Sequence, residues 1–237
     1  TWVEDRAGNT SIVTNRNFDI DYIDPEVLAN KASSTWFKTR TTTLSASDGA
    51  GVDEARYYWD SNPMNAACTS GGTSFTNGTV VTVPVGSHSL YLCARDAAGN
   101  TDYWVSGVNK YKVDINVPTS NIDSLSPAPA SGWYDGNFVV NVTDADAGGS
   151  GLLASSRRYH VFERPPGGTW VQTITNALRS PNGSITIPVG SGVTGCSIEG
   201  TQACQVQVFS RDRAGNVGSP TVEGDFVTVD IDYINPV

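Results

Sequence analysis

Sulfur and imidazole, the usual ligands for zinc, are scarce in this chain. Its 237 residues include four cysteines, none in a Cys-x-x-Cys pair, and two histidines, His88 and His160. That is poor material for a zinc site or for thiol catalysis. Neither histidine has a serine or cysteine nucleophile in a recognisable motif, which argues against an enzyme. Basic charge is also short: 15 Lys+Arg against 24 Asp+Glu give a net charge of −9. Without a basic stripe to displace counterions, nucleic acid is not an expected partner. No run approaches the roughly 18 consecutive apolar residues of a membrane span. The chain opens on Thr1 without a signal-like apolar run, which reads as a mature piece or a fragment.

Glycine, serine, threonine, valine and asparagine are plentiful, the profile of an ordered all-β protein with many turns. The acid is unevenly divided, with 18 Asp and 6 Glu. Aspartate caps backbone N–H groups in turns and also serves as a hard-oxygen metal ligand, and both readings stay open here.

Short strings recur. EDRAGN (4–9), RDAAGN (95–100) and RDRAGN (211–216) are each followed by FDID (18–21), VDIN (113–116) or VDID (229–232). VTVPVG (81–86) and ITIPVG (185–190) precede the second and third turns. Further upstream lie TWFKTRTTTLSASDGAGV (35–52) and GWYDGNFVVNVTDADAGGSGL (132–152), with Trp36 and Trp133 97 residues apart and Asp48 and Asp144 96 apart. Asp5 to Asp96 is 91 residues and Asp96 to Asp212 is 116. A period near 95–115 residues corresponds to one β-sandwich per repeat.

The strands alternate with period 2. HSLYLCARD puts Leu90, Leu92 and Ala94 on one face and Tyr91, Cys93 and Arg95 on the other, and QVQVFSRD puts Val206, Val208 and Ser210 inward. Phe18 and Ile20, Val113 and Ile115, and Val229 and Ile231 are expected to share one face of the final strands. Each AGN turn is expected to close a hairpin, with Gly at positive φ and Asn tolerating it. The resulting map is residues 1–24 as the last hairpin of a preceding repeat, 25–117 as one sandwich and 118–237 as a second with insertions. The hairpin marks either a boundary within a longer array or a strand donated to another chain's sheet.

The longer second repeat has 8 extra residues before Pro188 and 12 between Pro188 and Asp212. The latter stretch contains GCSIEGTQAC, so Cys196 and Cys204 are expected to staple it, and Cys68 and Cys93 to pair in the other repeat. A bridge between repeats is the less simple alternative. Disulfides imply an oxidising, extracellular setting.

These joint patterns, running from GWY…FVVNVTD…SGL through PVG to RDRAGN…VDID, resemble bacterial immunoglobulin-like repeats of large secreted surface proteins and adhesins. The likeness covers essentially the whole chain. LYLCARD also resembles the Tyr-x-Cys strand of antibody domains, but Cys68 follows the YYW strand, so that likeness is superficial. The resemblance implies tandem immunoglobulin-like β-sandwiches, with two loops and the incoming linker gathered at one end of each. The acidic positions sort onto those ends: Asp19, Asp21, Asp24, Asp48, Asp53, Asp96 and Asn100 for one repeat, then Asp114, Asn116, Asp144, Asp146, Asp212 and Asn216 for the next. Some related adhesin repeats bind Ca²⁺ at such junctions, and the resemblance implies the same cofactor here. Nothing matches an EF-hand loop, and turn capping or edge protection by Asp is the competing explanation.

Trp36, Trp59, Trp104 and Trp133 read as core or strand-packing residues, and Trp170, in ERPPGGTW, as an exposed contact. The expected function is a non-catalytic stalk or spacer of a bacterial surface protein, its partners being neighbouring repeats of the same or adjacent chains. The alternatives are a filament or sheath subunit assembling through residues 1–24, and an accessory module that binds a surface glycan or protein.

Overall fold

Alternating runs cut by Gly, Asn, Asp and Pro become short strands. The structure, a computed structural model, describes residues 3–11, 17–30, 32–63, 68–129, 131–180, 183–218 and 225–234. The strands are β1 (Glu26–Ala29), β2 (Trp36–Phe37), β3 (Thr41–Ser47), β4 (Val52–Trp59), β5 (Thr73–Ser74), β6 (Val80–Thr82), β7 (Gly86–His88), β8 (Leu90–Asp96) and β9 (Thr101–Val105). They continue as β10 (Tyr111–Val113), β11 (Thr119–Ser126), β12 (Trp133–Tyr134), β13 (Phe138–Ala145), β14 (Arg158–Glu163), β15 (Val171–Leu178), β16 (Ile185–Ile187), β17 (Gly200–Phe209) and β18 (Asp225–Ile231). Among the described residues the one helical element is a 3₁₀ turn at Ala154–Ser156, and no helix is long and apolar enough to cross a membrane.

The chain divides into two compact units: Thr1–Asn30 with Thr43–Thr79 and Leu90–Val105, and Lys31–Thr42 with Val80–Ser89 and Ser106–Val237. In the first, β1 pairs antiparallel with β3, and β5, β4, β8 and β9 form a four-stranded sheet in that order. Leu90, Leu92 and Ala94 are buried with Val27, Leu44, Ala46 and Ala55, as the alternation predicts. Cys93 faces the other way and is equally buried, because its disulfide to Cys68 packs against Tyr58, Tyr91 and Tyr103. β8, the turn at 96–100 and β9 form the expected hairpin.

The second unit contains a full sandwich. One sheet runs β11-β13-β16, the other β12-β18-β17-β14-β15. Phe138, Val140 and Val142 of β13 interdigitate with Val161, Val206, Val208, Val229 and Ile231, and the Tyr134 and Phe138 rings lie 4.6 Å apart. Ser210, also expected inward, is buried. This is an all-β, immunoglobulin-like architecture, with two sheets face to face over alternating apolar rows. Cys196 and Cys204 bridge as expected, and buried Glu163 fastens their loop by accepting hydrogen bonds from the Ser197 and Ile198 amides.

Pairing corrects the register read from the repeated letters. β10 runs parallel to β2 with Lys112 opposite Trp36 and Val113 opposite Phe37; β18 runs parallel to β12 with Asp230 opposite Trp133 and Ile231 opposite Tyr134. The Asp114 amide donates to Phe37 O at 2.9 Å and the Asp232 amide to Tyr134 O at 3.0 Å. Asp114 therefore corresponds to Asp232, two residues beyond the position that matching VDIN to VDID assigns. A slip of two keeps every side chain on its face, so alternation alone cannot detect it.

Two further expectations change. Phe18 and Ile20 lie outside any strand, 81% and 83% exposed, and Ile115 is 56% exposed because β10 ends at Val113. The four tryptophans expected to pack do lie in strands, but none is fully buried, and Lys112 Nζ stands 5.4 Å from the Trp36 ring.

Loop closure sets the expected effect of opening each disulfide. The two bridges span separations of 25 and 8 residues. Replacing Cys68 and Cys93 together by Ala is expected to cost about 3 kcal/mol, and the Cys196/Cys204 pair about 2 kcal/mol, read by denaturant unfolding. Equal losses, or the reverse order, would show that loop length is not what the bridges act through.

Candidate metal centres

The three AGN turns are built alike. Asp5 Oδ1 accepts from the Ala7 and Asn9 amides, both at 2.9 Å, and Oδ2 from Asn9 Nδ2 at 2.8 Å. Asp96 Oδ1 accepts from the Gly99 and Asn100 amides at 2.7 and 2.8 Å, and Oδ2 from Asn100 Nδ2 at 2.7 Å. Asp212 Oδ1 accepts from the Asn216 amide and Oδ2 from Asn216 Nδ2, both at 2.7 Å. The glycines take the left-handed backbone, φ 85°, 98° and 92° at Gly8, Gly99 and Gly215. The asparagines do not; contrary to expectation they serve as side-chain donors to the aspartate. Each aspartate therefore caps its own turn. These bonds hold the exposed Asp5 carboxyl below its ordinary value, led by that from the Asn9 side chain.

The second and third turns gain something the first lacks. The Asn100 side chain also donates to Asp21 O at 3.3 Å, and the Asn216 side chain to Asp114 O at 2.8 Å, so each turn grips the incoming segment. Asp21 Oδ1 in turn accepts from the Ile23 amide at 3.0 Å, and Asp114 Oδ1 from the Asn116 amide at 3.0 Å. Asp21 and Asp114 are thus counterparts, again two residues off the letter match. A third carboxylate completes each set. Asp48 Oδ1 accepts from the Ala50 and Gly51 amides at 2.7 and 3.0 Å. Asp146 accepts from the Gly148 and Gly151 amides at 3.1 and 2.7 Å.

The outcome is two triads, Asp21–Asp48–Asp96 and Asp114–Asp146–Asp212, in each of which one oxygen per residue lies within 4.8 Å of the others. Asp96, Asp114 and Asp212 are fully buried. Asp114 is held from a second side as well, its Oδ2 accepting from the Ser150 amide at 3.0 Å. Gly148 lies so close that an added Cβ would fall 1.9 Å from Asp114 Oδ1, a contact only glycine avoids. Sequence reading missed Gly148 and Ser150, since neither is a ligand type.

Other expected positions go elsewhere. Asp19, Asp24, Asp53 and Asn116 are exposed and outside both triads, and Asn100 and Asn216 act as turn donors. Asp144 is an ion-pair partner: its buried carboxylate lies against Arg179, with Arg157 Nε at 2.8 Å and Ser120 Oγ at 2.6 Å. Burial pushes its carboxyl up, but the bonds from Arg179, Ser120 and Arg157 outweigh this and hold it below 3.8. Trp170 is half-buried with the Arg164 guanidinium 4.8 Å from its ring centre.

The donor chemistry of the triads fits a hard cation. All three groups in each are carboxylates, the mutual distances match what oxygens about 2.4 Å from one ion can span, and irregular loops suit Ca²⁺. No Lys or Arg among the described residues forms an ion pair with either triad. At an effective dielectric constant of about 20, each carboxylate pair repels by about 3 kcal/mol.

No family model and no curated protein matches the chain. It is similar to a solved structure of Clostridium thermocellum CbhA fibronectin(III)-like modules, with 16% identity, 87% of this chain and 94% of that chain covered, and a TM-score of 0.35. A likeness that distant carries no inference, and the sandwich assignment rests on the strand pairings.

Removing the Asp144 carboxylate leaves two buried arginines without their counterion. Asp144→Asn is expected to cost about 3–5 kcal/mol at neutral pH. Because the folded carboxyl titrates below the unfolded one, the wild-type contribution is full above the unfolded value of about 4 and is lost as pH falls through the lower folded value. The variant should lack that part of the acid dependence in denaturant melts from pH 7 to pH 2. Parallel stability–pH curves for the two proteins would refute the assignment.

Proposed function

We propose that this chain is a non-catalytic structural module of an extracellular bacterial surface protein, a stalk or spacer of tandem repeats in which each aspartate triad holds one Ca²⁺. The repeat boundaries adopted are those of the sequence, 25–117 and 118–237, with residues 1–24 belonging to a preceding repeat. The observation that carries the reading is the recurrence, in matching loops, of three converging carboxylates without a protein cation. Bound Ca²⁺ would offset the mutual repulsion and tie the segment carrying Asp21 or Asp114 to the two loops beside it. A linker held in this way is stiff, which is what a spacer requires. The two disulfides support an oxidising location.

Ligand that binds only the folded state raises stability, by about 2.7 kcal/mol at a concentration one hundred times Kd. Thermal melts of the oxidised chain with millimolar Ca²⁺ and with excess EGTA are expected to differ by about 5 °C or more. Asp212→Asn and Gly148→Ala should each abolish the shift at the second triad while leaving that at the first. Coincident melts, together with no heat of Ca²⁺ binding in calorimetry, would reduce the triads to turn caps.

One observation favours a second reading. Phe18, Ile20 and Tyr22 alternate with acidic residues and are 81%, 83% and 84% exposed. That pattern suits a strand added to another chain's sheet; residues 1–2 and 12–16 of the same segment lie outside the described residues. Strand addition predicts particle growth in light scattering at room temperature, suppressed by Phe18→Ser with Ile20→Ser. A constant monomer size over days would rule it out.

A further inference from the structure

A cavity of about 440 Å³ lies at one end of the five-stranded sheet, lined by Leu153, Ser155, Arg158, Asn176, Phe209 and Arg211 among others. Its volume falls in the range of small-molecule sites. Two arginines line it, half-buried Arg158 and exposed Arg211, and no carboxylate does, in a chain of net charge −9. Among the described residues neither Arg158 nor Arg211 makes an ion pair or a side-chain hydrogen bond; only their backbone groups are used. A pair of arginines without a protein counterion is suited to recognise a carboxylate.

The surrounding framework is preformed. Ser156 Oγ lies 2.6 Å from Leu153 O and 2.7 Å from Arg211 O, its one proton shared between them, and the Leu153 amide donates to Arg211 O at 2.9 Å, fixing the 3₁₀ turn against the start of the AGN loop. Arg158 on β14 stands directly opposite Phe209 on β17. The His160 ring stacks on Phe209 with centroids 4.9 Å apart and sets its orientation. Asn176 sits in a β-bulge, an extra residue of β15 between the partners of Tyr159 and Val161. Its backbone is left-handed, φ 51°, and its amide donates to His160 Nδ1 at 3.2 Å. A non-glycine residue in that conformation is strained, and bulges of this kind re-aim a side chain.

We infer that this cavity binds a carboxylated sugar of the hexuronic acid type. The carboxylate lies between Arg158 and Arg211, the hydroxyl rim meets Asn176 and Ser155, and the C–H face covers Phe209 and Leu153. A bare phosphate would leave that apolar wall uncovered, and a neutral sugar would leave both guanidinium groups unpaired.

The test is amide NMR titration of the full chain at low salt with methyl β-D-glucuronide, with methyl β-D-glucoside and inorganic phosphate as comparisons. Shifts confined to residues 153–158, 176–178 and 209–217 are expected with the glucuronide alone. Arg158→Gln and Arg211→Gln should each weaken binding at least about tenfold, the loss of one charge-assisted bond. Asn176→Gly keeps the left-handed backbone and the backbone N–H to His160, removes the side-chain carboxamide and should weaken binding several-fold without lowering Tm, so it decides the matter if an arginine variant fails to fold. The inference is overturned by no shifts at tens of millimolar glucuronide, by equal binding of the glucoside or of phosphate, or by unchanged affinity in Asn176→Gly and the arginine variants.

Discussion

A carboxylate removed from water must find donors, and in a chain with 18 aspartates that requirement organises much of the fold. Three solutions recur. Asp96 and Asp212 fold the backbone amides and the asparagine of their own turn around themselves. Asp144 draws in two arginines and a serine. Asp102 on β9 and Asp225 on β18 reach the adjoining sheet, accepting from the Val27 amide at 3.1 Å and the Ile122 amide at 2.8 Å. In the last case the same kind of bond ties β1 to β9 and β11 to β18.

The triads arise where the first solution is applied three times in one place. Each aspartate caps its own loop, and the loops converge, so groups individually satisfied by hydrogen bonds still repel one another. Hydrogen bonds to amides offset the loss of hydration but do not cancel charge, which is why a shared cation is the natural complement. The exposed Asp5 turn separates the two effects, since it has the same cap and belongs to neither triad. Capping accounts for the motif, and convergence accounts for the triads.

Much of this was legible in the letters. The recurrence of AGN with its preceding aspartate identified the turns, alternation identified the buried rows of β8 and β17, and cysteine spacing identified both bridges. The positions of the converging carboxylates were only partly legible. Asp21, Asp48, Asp96, Asp114, Asp146 and Asp212 converge, whereas Asp19, Asp53 and Asp144 do not, although their spacing looks equally good. Asp144 and Asp146 are two residues apart, and β13 ends between them: tertiary packing brings arginines 13 and 35 residues away to the first and other carboxylates to the second.

Local chemistry, then, was determined by sequence alone, because a turn's hydrogen bonds and a strand's alternation involve residues a few positions apart. Register was decided by the tertiary structure. Shifting VDIN against VDID by two preserves every inward and outward position, and only the parallel pairing with Trp36–Phe37 and Trp133–Tyr134 distinguishes the choices. The meeting of Asp114 with Asp146 and Asp212, the fit of Gly148 against a carboxylate, and the lining of one cavity by both Arg158 and Arg211 all join distant segments. Their geometry depends on how two twisted sheets pack, and no local pattern records it.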